Sequence, residues 1–276
     1  MRKNIQWQCR IAPSLGDGFD GTPNEVWGTD NYIDNKRPTV FFGLYGFPDF
    51  YALWRHKGIK EILWAGSDIT NLKNGYWMDD EGMIRINPEA LAVWIRRNCG
   101  CWVENKVEQM ALEGLTIPSR ITPSFLGNIK DYKISYKHSN KPKLYTSVSG
   151  DDFVLYGWYK IEELAQNNPN IEFHLYGNTP KWENKKSNII VHGRVSNEQM
   201  NKEIKNMQGA LRLTEFDGFS EILAKSILWG QWPVSLIKYP YMLNLDEIKL
   251  LPSKREPNYK GREYYLGIIN QYPWSK

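Results

Sequence analysis

With 276 residues the chain is long enough for two modest domains or one large one, and it needs no disulfide or metal staple to hold a core. Hydrophobic residues at 41% and charged residues at 24% exclude a disordered chain, while a formal net charge of +4 is too small to mark a nucleic-acid protein yet suits anionic ligands. The 14% aromatic content, with 12 Trp and 16 Tyr, suits stacking on sugars or bases, or simply the packing of cores and grooves.

The opening stretch MRKNIQWQCRIAPSLGDG starts basic but holds no apolar run of signal-peptide length. No later window approaches the roughly 18 apolar residues of a membrane span, so a cytoplasmic protein without a transmembrane segment is expected. SLGDGFDGT (14–22) resembles a glycine-rich substrate loop, lacks the GxGxxG spacing, and reads equally as a plain loop. Cys9, Cys99 and Cys101 are odd in number and Cys99-Gly-Cys101 is not a CxxC pair, which leaves them reduced thiols without a special role.

TVFFGLYG (39–46) and KEILWAGSD (60–68) are short apolar runs ending at glycine, with a helical PDFYALWRHKG (48–58) between them. Strand, helix, strand favours a parallel sheet. NPEALAVWIRRN (87–98) follows as a helix with Asn87 as cap and Pro88 at its first position, then the strand CWVEN, a helix over KVEQMALEGL and a short strand in SRITPSF. GNIKDYKISYKHSNKPK (127–143) has neither period and reads as a linker. Its Lys130, Lys133, Lys137, His138, Lys141 and Lys143 are interleaved with Tyr132, Tyr136 and Tyr145, a pattern open to a solvated linker or a nucleic-acid strand.

The second half repeats the alternation: strand KLYTSV (143–148), helix DDFVLYGWYKIEELAQ (151–166), strands IEFHLYG (171–177) and NIIVHG (188–193), helix SNEQMNKEIKNM (196–207), strand GALRLT (209–214), then RLTEFDGFSEILAKSILWGQWPVS. The expected fold class is α/β, two Rossmann-like parallel-sheet domains, with ligands at the carboxyl ends of the strands in a cleft. The boundaries read are 1–126 for a short N-terminal domain, 127–142 for the linker, 143–255 for a second domain, and 256–276 for a closing helix.

Asp217, Gly218 and Phe219 form a turn out of a strand, and Ser220 opens the next helix. Free amides and the positive end of a helix dipole make such a turn an anion site, Gly218 permits close backbone approach, and Arg212 adds charge for a diphosphate. Asp217 and Ser220 also read as ordinary caps. His56, His138, His174 and His192 have no metal-ligand spacing, so no metal is expected.

Taken in order, YTSVSGDD, FHLYGN, NIIVHGRVSNEQM and LRLTEFDGFSEILAKSILWGQWPV resemble glycosyltransferases of the GT-B fold, most of all the retaining family-four (glycosyl transferases group 1) class. The family's loop after the first C-terminal strand, its Gly-x-Val turn beside the nucleotide base and its EGFG turn before EAMAxGxPV correspond to Ser149 and Gly150, to Gly193, Arg194 and Val195, and to Asp217 to Ser220 with KSILWGQWPV. The likeness covers about 110 residues, and the first half only in its rhythm and in WAGSD.

The resemblance implies transfer of a sugar from a nucleotide-diphosphate donor, UDP- or GDP-linked, to a hydroxyl, with retention and no further cofactor. Ser149, Gly150, Gly177, Gly193, Arg194, Val195, Arg212, Gly218, Phe219, Ser220, Glu221 and Lys225 would hold the donor. Asp217 would be catalytic, with Asp68 as base or orienting group, and Gly46, Asp49, Gly66 and Ser67 would face the acceptor. Asp68 reads equally as a helix cap. The family's second glutamate is Lys225 here, or Ser226 if the alignment is set on PV, neither a carboxylate; Lys225 cannot accept a ribose hydroxyl but can pair with phosphate, or simply point to solvent, and Glu221, one turn earlier, could reach the ribose. The acceptor stays open between a glycan, a lipid-linked saccharide and a hydroxylated DNA base as in phage DNA modification. A nucleotide-sugar epimerase and a binding module that has lost catalysis remain as alternatives, and the oligomeric state stays open.

Overall fold

The computed structural model describes residues 6–15, 19–75, 87–148, 154–177 and 186–275. They form two compact units, 1–127 with 216–219 and 268–276, and 128–215 with 220–267. The chain therefore visits the first unit three times.

In the first unit the elements are β1 (Gln8–Ile11), α1 (Pro23–Trp27), β2 (Asp30–Asn31), β3 (Thr39–Phe42), α2 (Phe47–Arg55), β4 (Lys60–Leu63), α3 (Ser67–Asn74), α4 (Pro88–Asn98), β5 (Gly100–Val103), α5 (Lys106–Glu113) and β6 (Arg120–Ile121). The strands pair in parallel in the order β2-β1-β3-β4-β5-β6. Alternate side chains build two cores: Phe41, Ile62, Cys101 and Val103 face one cluster, and Val40, Phe42, Leu63 and Trp102 face another with Trp27. Strands buried on both faces read as unbroken apolar runs, which is why TVFF stands out in the sequence. Caps start the helices as their sequences demand: Asn87 accepts from the Glu89 N–H before Pro88, and Thr22 and Glu25 form a capping box.

In the second unit β7 (Lys143–Ser147), α6 (Ile161–Asn167), β8 (Glu172–Tyr176), β9 (Ile189–Gly193), α7 (Asn197–Ile204), β10 (Gly209–Arg212), α8 (Glu221–Leu228), β11 (Val234–Ser235), β12 (Leu243–Asn244) and α9 (Tyr259–Ile268) follow in chain order. The parallel strand order is β12-β11-β10-β7-β8-β9. Two parallel α/β sheets are what the alternation in the sequence leads one to expect.

Four details depart from that reading. The helix expected over 151–166 begins only at Ile161, because Gly157 adopts φ 69° and a Cβ there would collide with Leu213; residues 151–153 lie outside the described residues. Residues 128–142 pack into the second unit: Tyr132, Tyr136 and Tyr145 are buried while Lys130, Lys133, Lys137 and Lys141 are exposed, so no aromatic platform accompanies the lysines. The closing segment is a helix only to Ile268, and the residues beyond it return to the first unit. Finally, QCRI forms a strand that its polar Gln8 conceals; Gln8 is buried because its amide accepts from Ile33 and Asp34 N–H and donates to the Asp34 carbonyl.

Candidate functional site

In the first unit the loops after β3, β4 and β5 stand at the carboxyl ends of central strands, where open parallel sheets carry their ligands. After β3, Gly46 precedes α2 and Asp49, in the first turn, accepts from the Tyr45 N–H (3.0 Å), the Gly46 N–H (3.3 Å) and the Arg10 guanidinium (2.7 Å). Asp49 is buried, and its oxygens are spent on fixing that corner.

After β4, Gly66 takes φ 88° and Ser67 starts α3. Asp68 is 0% exposed; its carboxylate accepts from the Leu44 N–H (3.0 Å) and the Ala65 N–H (3.1 Å), tying the end of β3 to the end of β4. Both of these bonds go to backbone amides, so the carboxylate holds the two strand ends together. Ser67 beside it is exposed.

After β5 come two glutamates that the sequence reading passed over. Glu104 accepts from the Phe219 N–H (2.7 Å), from the Ser124 N–H (3.0 Å) and from the Ser124 hydroxyl. Asn105 caps α5 through the Glu108 N–H (3.0 Å) and donates its side-chain amide to the Asp217 carbonyl (2.7 Å). Glu108 Oε2 in turn accepts from the Glu104 N–H at 2.7 Å. The signal was there: N-x-x-E at 105–108 is a capping pattern, and it marks the residue before it as a strand end.

The turn expected to be the donor site is thus part of this unit. Asp217 Oδ1 accepts the Gly218 N–H at 3.0 Å, and the Phe219 N–H belongs to Glu104, so these two amides serve the turn itself. A Cβ at Gly218 would collide with Glu104 Oε2, and one at Gly66 would come within 3.1 Å of the Gly218 nitrogen. The close approach that Gly218 permits is therefore to Glu104.

Burial governs the titration of these acids. Desolvation raises Asp68 from 3.8 to about 7 and Glu104 from 4.5 to about 8 against the pull of their hydrogen bonds, and lifts Glu108 well above its ordinary range with the Glu104 charge adding to it. The native state keeps these protons where the unfolded chain has released them, so the stability they allow is full below about 4.5 and is lost as pH rises through 7 to 8. Calorimetry should show Tm falling by on the order of 5 °C between pH 5 and 8. A flat profile would mean that these carboxyls titrate normally.

In the second unit the remaining expected residues gather at the ends of β8, β9 and β10. Gly177 (φ 110°) donates its N–H to the Gly193 carbonyl at 2.9 Å and has no room for a Cβ against Val148. Gly193 (φ 73°) ends β9, Arg194 is exposed and Val195 half-buried. Arg212 ends β10 with its guanidinium over the Tyr156 ring at 4.5 Å. Ser220 precedes α8 and makes no side-chain cap bond. Lys225, 6% exposed, donates to Asn201 Oδ1 at 3.0 Å, which rules out a solvent-pointing lysine. Ser149 and Gly150 lie outside the described residues, as do 16–18 of the glycine-rich loop. Among the described residues no three His, Cys, Asp or Glu side chains converge as a metal site, and no helix is long and apolar enough to cross a membrane.

Neither a protein-family model nor a curated protein sequence matches the chain. Solved structures do. The lipopolysaccharide outer core galactosyltransferase WaaB is similar at a TM-score of 0.55 and 11% identity, covering 97% of this chain and 96% of that one. The fold is GT-B. TarM matches the GT-B architecture at a TM-score of 0.55 and 13% identity over 88% of this chain and 53% of its own. HepE of Anabaena, in complex with UDP and glucose, matches at 0.50 and 10% identity over 83% of this chain and 72% of its own. The chain spans about half the length of TarM and of GtfA.

Proposed function

We propose that the chain is a glycosyltransferase that moves a sugar from a UDP-sugar to a saccharide hydroxyl, with retention at the anomeric carbon. The observation that carries the reading is the Asp217–Ser220 turn: it joins β10 to α8 within a GT-B fold, and the α8 start lacks a side-chain cap. The helix N-terminus would take the donor diphosphate, where negative charge grows as the bond between sugar and phosphate breaks. Asp217 would orient the sugar, and Gly193, Arg194 and Val195 the base. Glu221 would serve the ribose.

UDP is preferred to GDP because HepE, GtfA and TarM are each described in complex with UDP. A saccharide acceptor is preferred to a DNA base because the tyrosines among the linker lysines are buried and offer no stacking face. Retention rests on the order of motifs shared with the family-four class.

The test is to incubate the protein with a panel of nucleotide sugars, with and without saccharide acceptors, and to follow nucleotide release. Turnover that disappears in Asp217→Ala supports transfer. Binding without turnover across the panel points to a binding module instead, and conversion of one nucleotide sugar into its epimer to an epimerase.

Lys225 supplies a separate prediction. Methionine keeps its length and apolar stem but removes the charge, so Lys225→Met should weaken UDP binding about tenfold by calorimetry, equivalent to ~1.4 kcal/mol. Unchanged affinity would remove Lys225 from the donor site.

A further inference from the structure

We propose that Glu104 and Asn105 are positioning residues for the transfer, forming a two-point clamp that fixes the Phe216–Phe219 turn and with it Asp217. The inference rests on the transfer reading above.

The two grips are independent. Glu104 takes the Phe219 N–H on one side of Gly218, and Asn105 holds the Asp217 carbonyl on the other. Each grip is itself braced: Glu104 by the Ser124 amide and hydroxyl, Asn105 by its bond to the Glu108 N–H. Gly66 and Gly218 have no Cβ where the turn meets the β4 end, and either methyl would strike the opposing backbone or carboxylate. A turn that needed only to be buried would not demand two glycines, a buried carboxylate and a capping asparagine together.

Choosing a carboxylate here is costly. Glu104 faces Glu108 on α5 and Asp217 in the turn, Asp68 on α3 adds its charge at Glu108, and Tyr45 after β3 and Tyr272 after α9 feel the charge of Glu104. Its own hydrogen bonds come from amides and a hydroxyl. Such a group is retained for what it holds: one oxygen accepts the Phe219 N–H while the other is held by Ser124. Glu108 Oε1 is buried and has no hydrogen-bond partner, whereas Oε2 accepts from the Glu104 N–H and the Asn105 amide.

The test compares wild type, Glu104→Gln, Glu104→Ala and Asn105→Ala by UDP-glucose and UDP-N-acetylglucosamine turnover and by hydrogen exchange at the Phe219 amide. Glu104→Ala should speed exchange at Phe219 at least tenfold and lower kcat by about a hundredfold with KM for donor changed less than threefold, the signature of a displaced group rather than a lost ligand. Glu104→Gln still accepts the Phe219 N–H and should recover kcat to within about fivefold, but its pH profile should lose the inflection near 8 that wild type owes to Glu104. Asn105→Ala should lower kcat likewise, by about tenfold.

A Phe219 amide that stays protected in Glu104→Ala overturns the clamp, whether or not the wild type turns over a donor. Released exchange with kcat unchanged overturns the positioning role. A wild type that turns over no donor overturns the transfer reading, and the exchange result still decides the clamp.

Discussion

An Asp217→Ala protein is expected to stay folded, to bind UDP as wild type does, and to lose sugar transfer by about a hundredfold or more. The fold should survive because the contact that anchors this position is made by its main chain: the Asn105 amide holds the Asp217 carbonyl, which alanine retains. Binding should survive because the nucleotide and diphosphate are assigned to β9 and the α8 start. What disappears is the carboxylate, together with its bond to the Gly218 N–H. Nucleotide release at saturating donor, with Tm and UDP affinity measured alongside, checks all three parts. Turnover within threefold of wild type would remove Asp217 from the chemistry.

Gly218→Ala should be costlier than its single methyl implies. The Cβ would run into Glu104 Oε2, and that oxygen cannot retreat without giving up the Phe219 N–H, while Ser124 holds the other half of the carboxylate. The strain should cost about 1–3 kcal/mol, which for a chain of this size is ~2–4 °C in Tm per kcal/mol. Turnover should fall about a hundredfold because the turn itself must shift. Gly267→Ala is the control: nothing lies within 4 Å of its Cβ, in the last turn of α9, and it should be neutral or stabilise by up to ~1 kcal/mol. Equal effects of the two alanines would mean that backbone entropy, not Glu104, decides the first.

Much of the architecture was legible because it is encoded locally. Asn87 before Pro88 and Ser196 before α7 announce helix starts by satisfying amides within their own first turns, and doubly buried strands such as TVFF carry their signal in a few adjacent letters. Gly157 shows where local reading ends: the apolar period runs on through it, and only the neighbouring Leu213 explains the left-handed residue that delays α6. The site divides in the same way. The acidic turn before α8 was visible as a motif, but its tie to Glu104 spans 115 positions, and a glutamate at the end of CWVEN looks like any polar strand terminus until its partner is in place. The burial of Asp68 was hidden for a related reason. Chain position places it at a strand end, but burial to 0% decides whether its oxygens meet substrate or backbone.

The return of residues 268–275 to the first unit bears on how the chain is made. Asn270 bonds the Phe125 amide and carbonyl and the Trp27 indole, Tyr272 donates to the Thr122 carbonyl, and the stacked Tyr272 and Trp274 rings close over Trp27 and Trp102. A ribosome delivers that lid only after the whole second unit has been synthesised. Until then the earlier half carries Trp27 and Trp102 without the Tyr272 and Trp274 rings that cover them, and exposed apolar surface of that kind is what makes a part-made chain prone to aggregate.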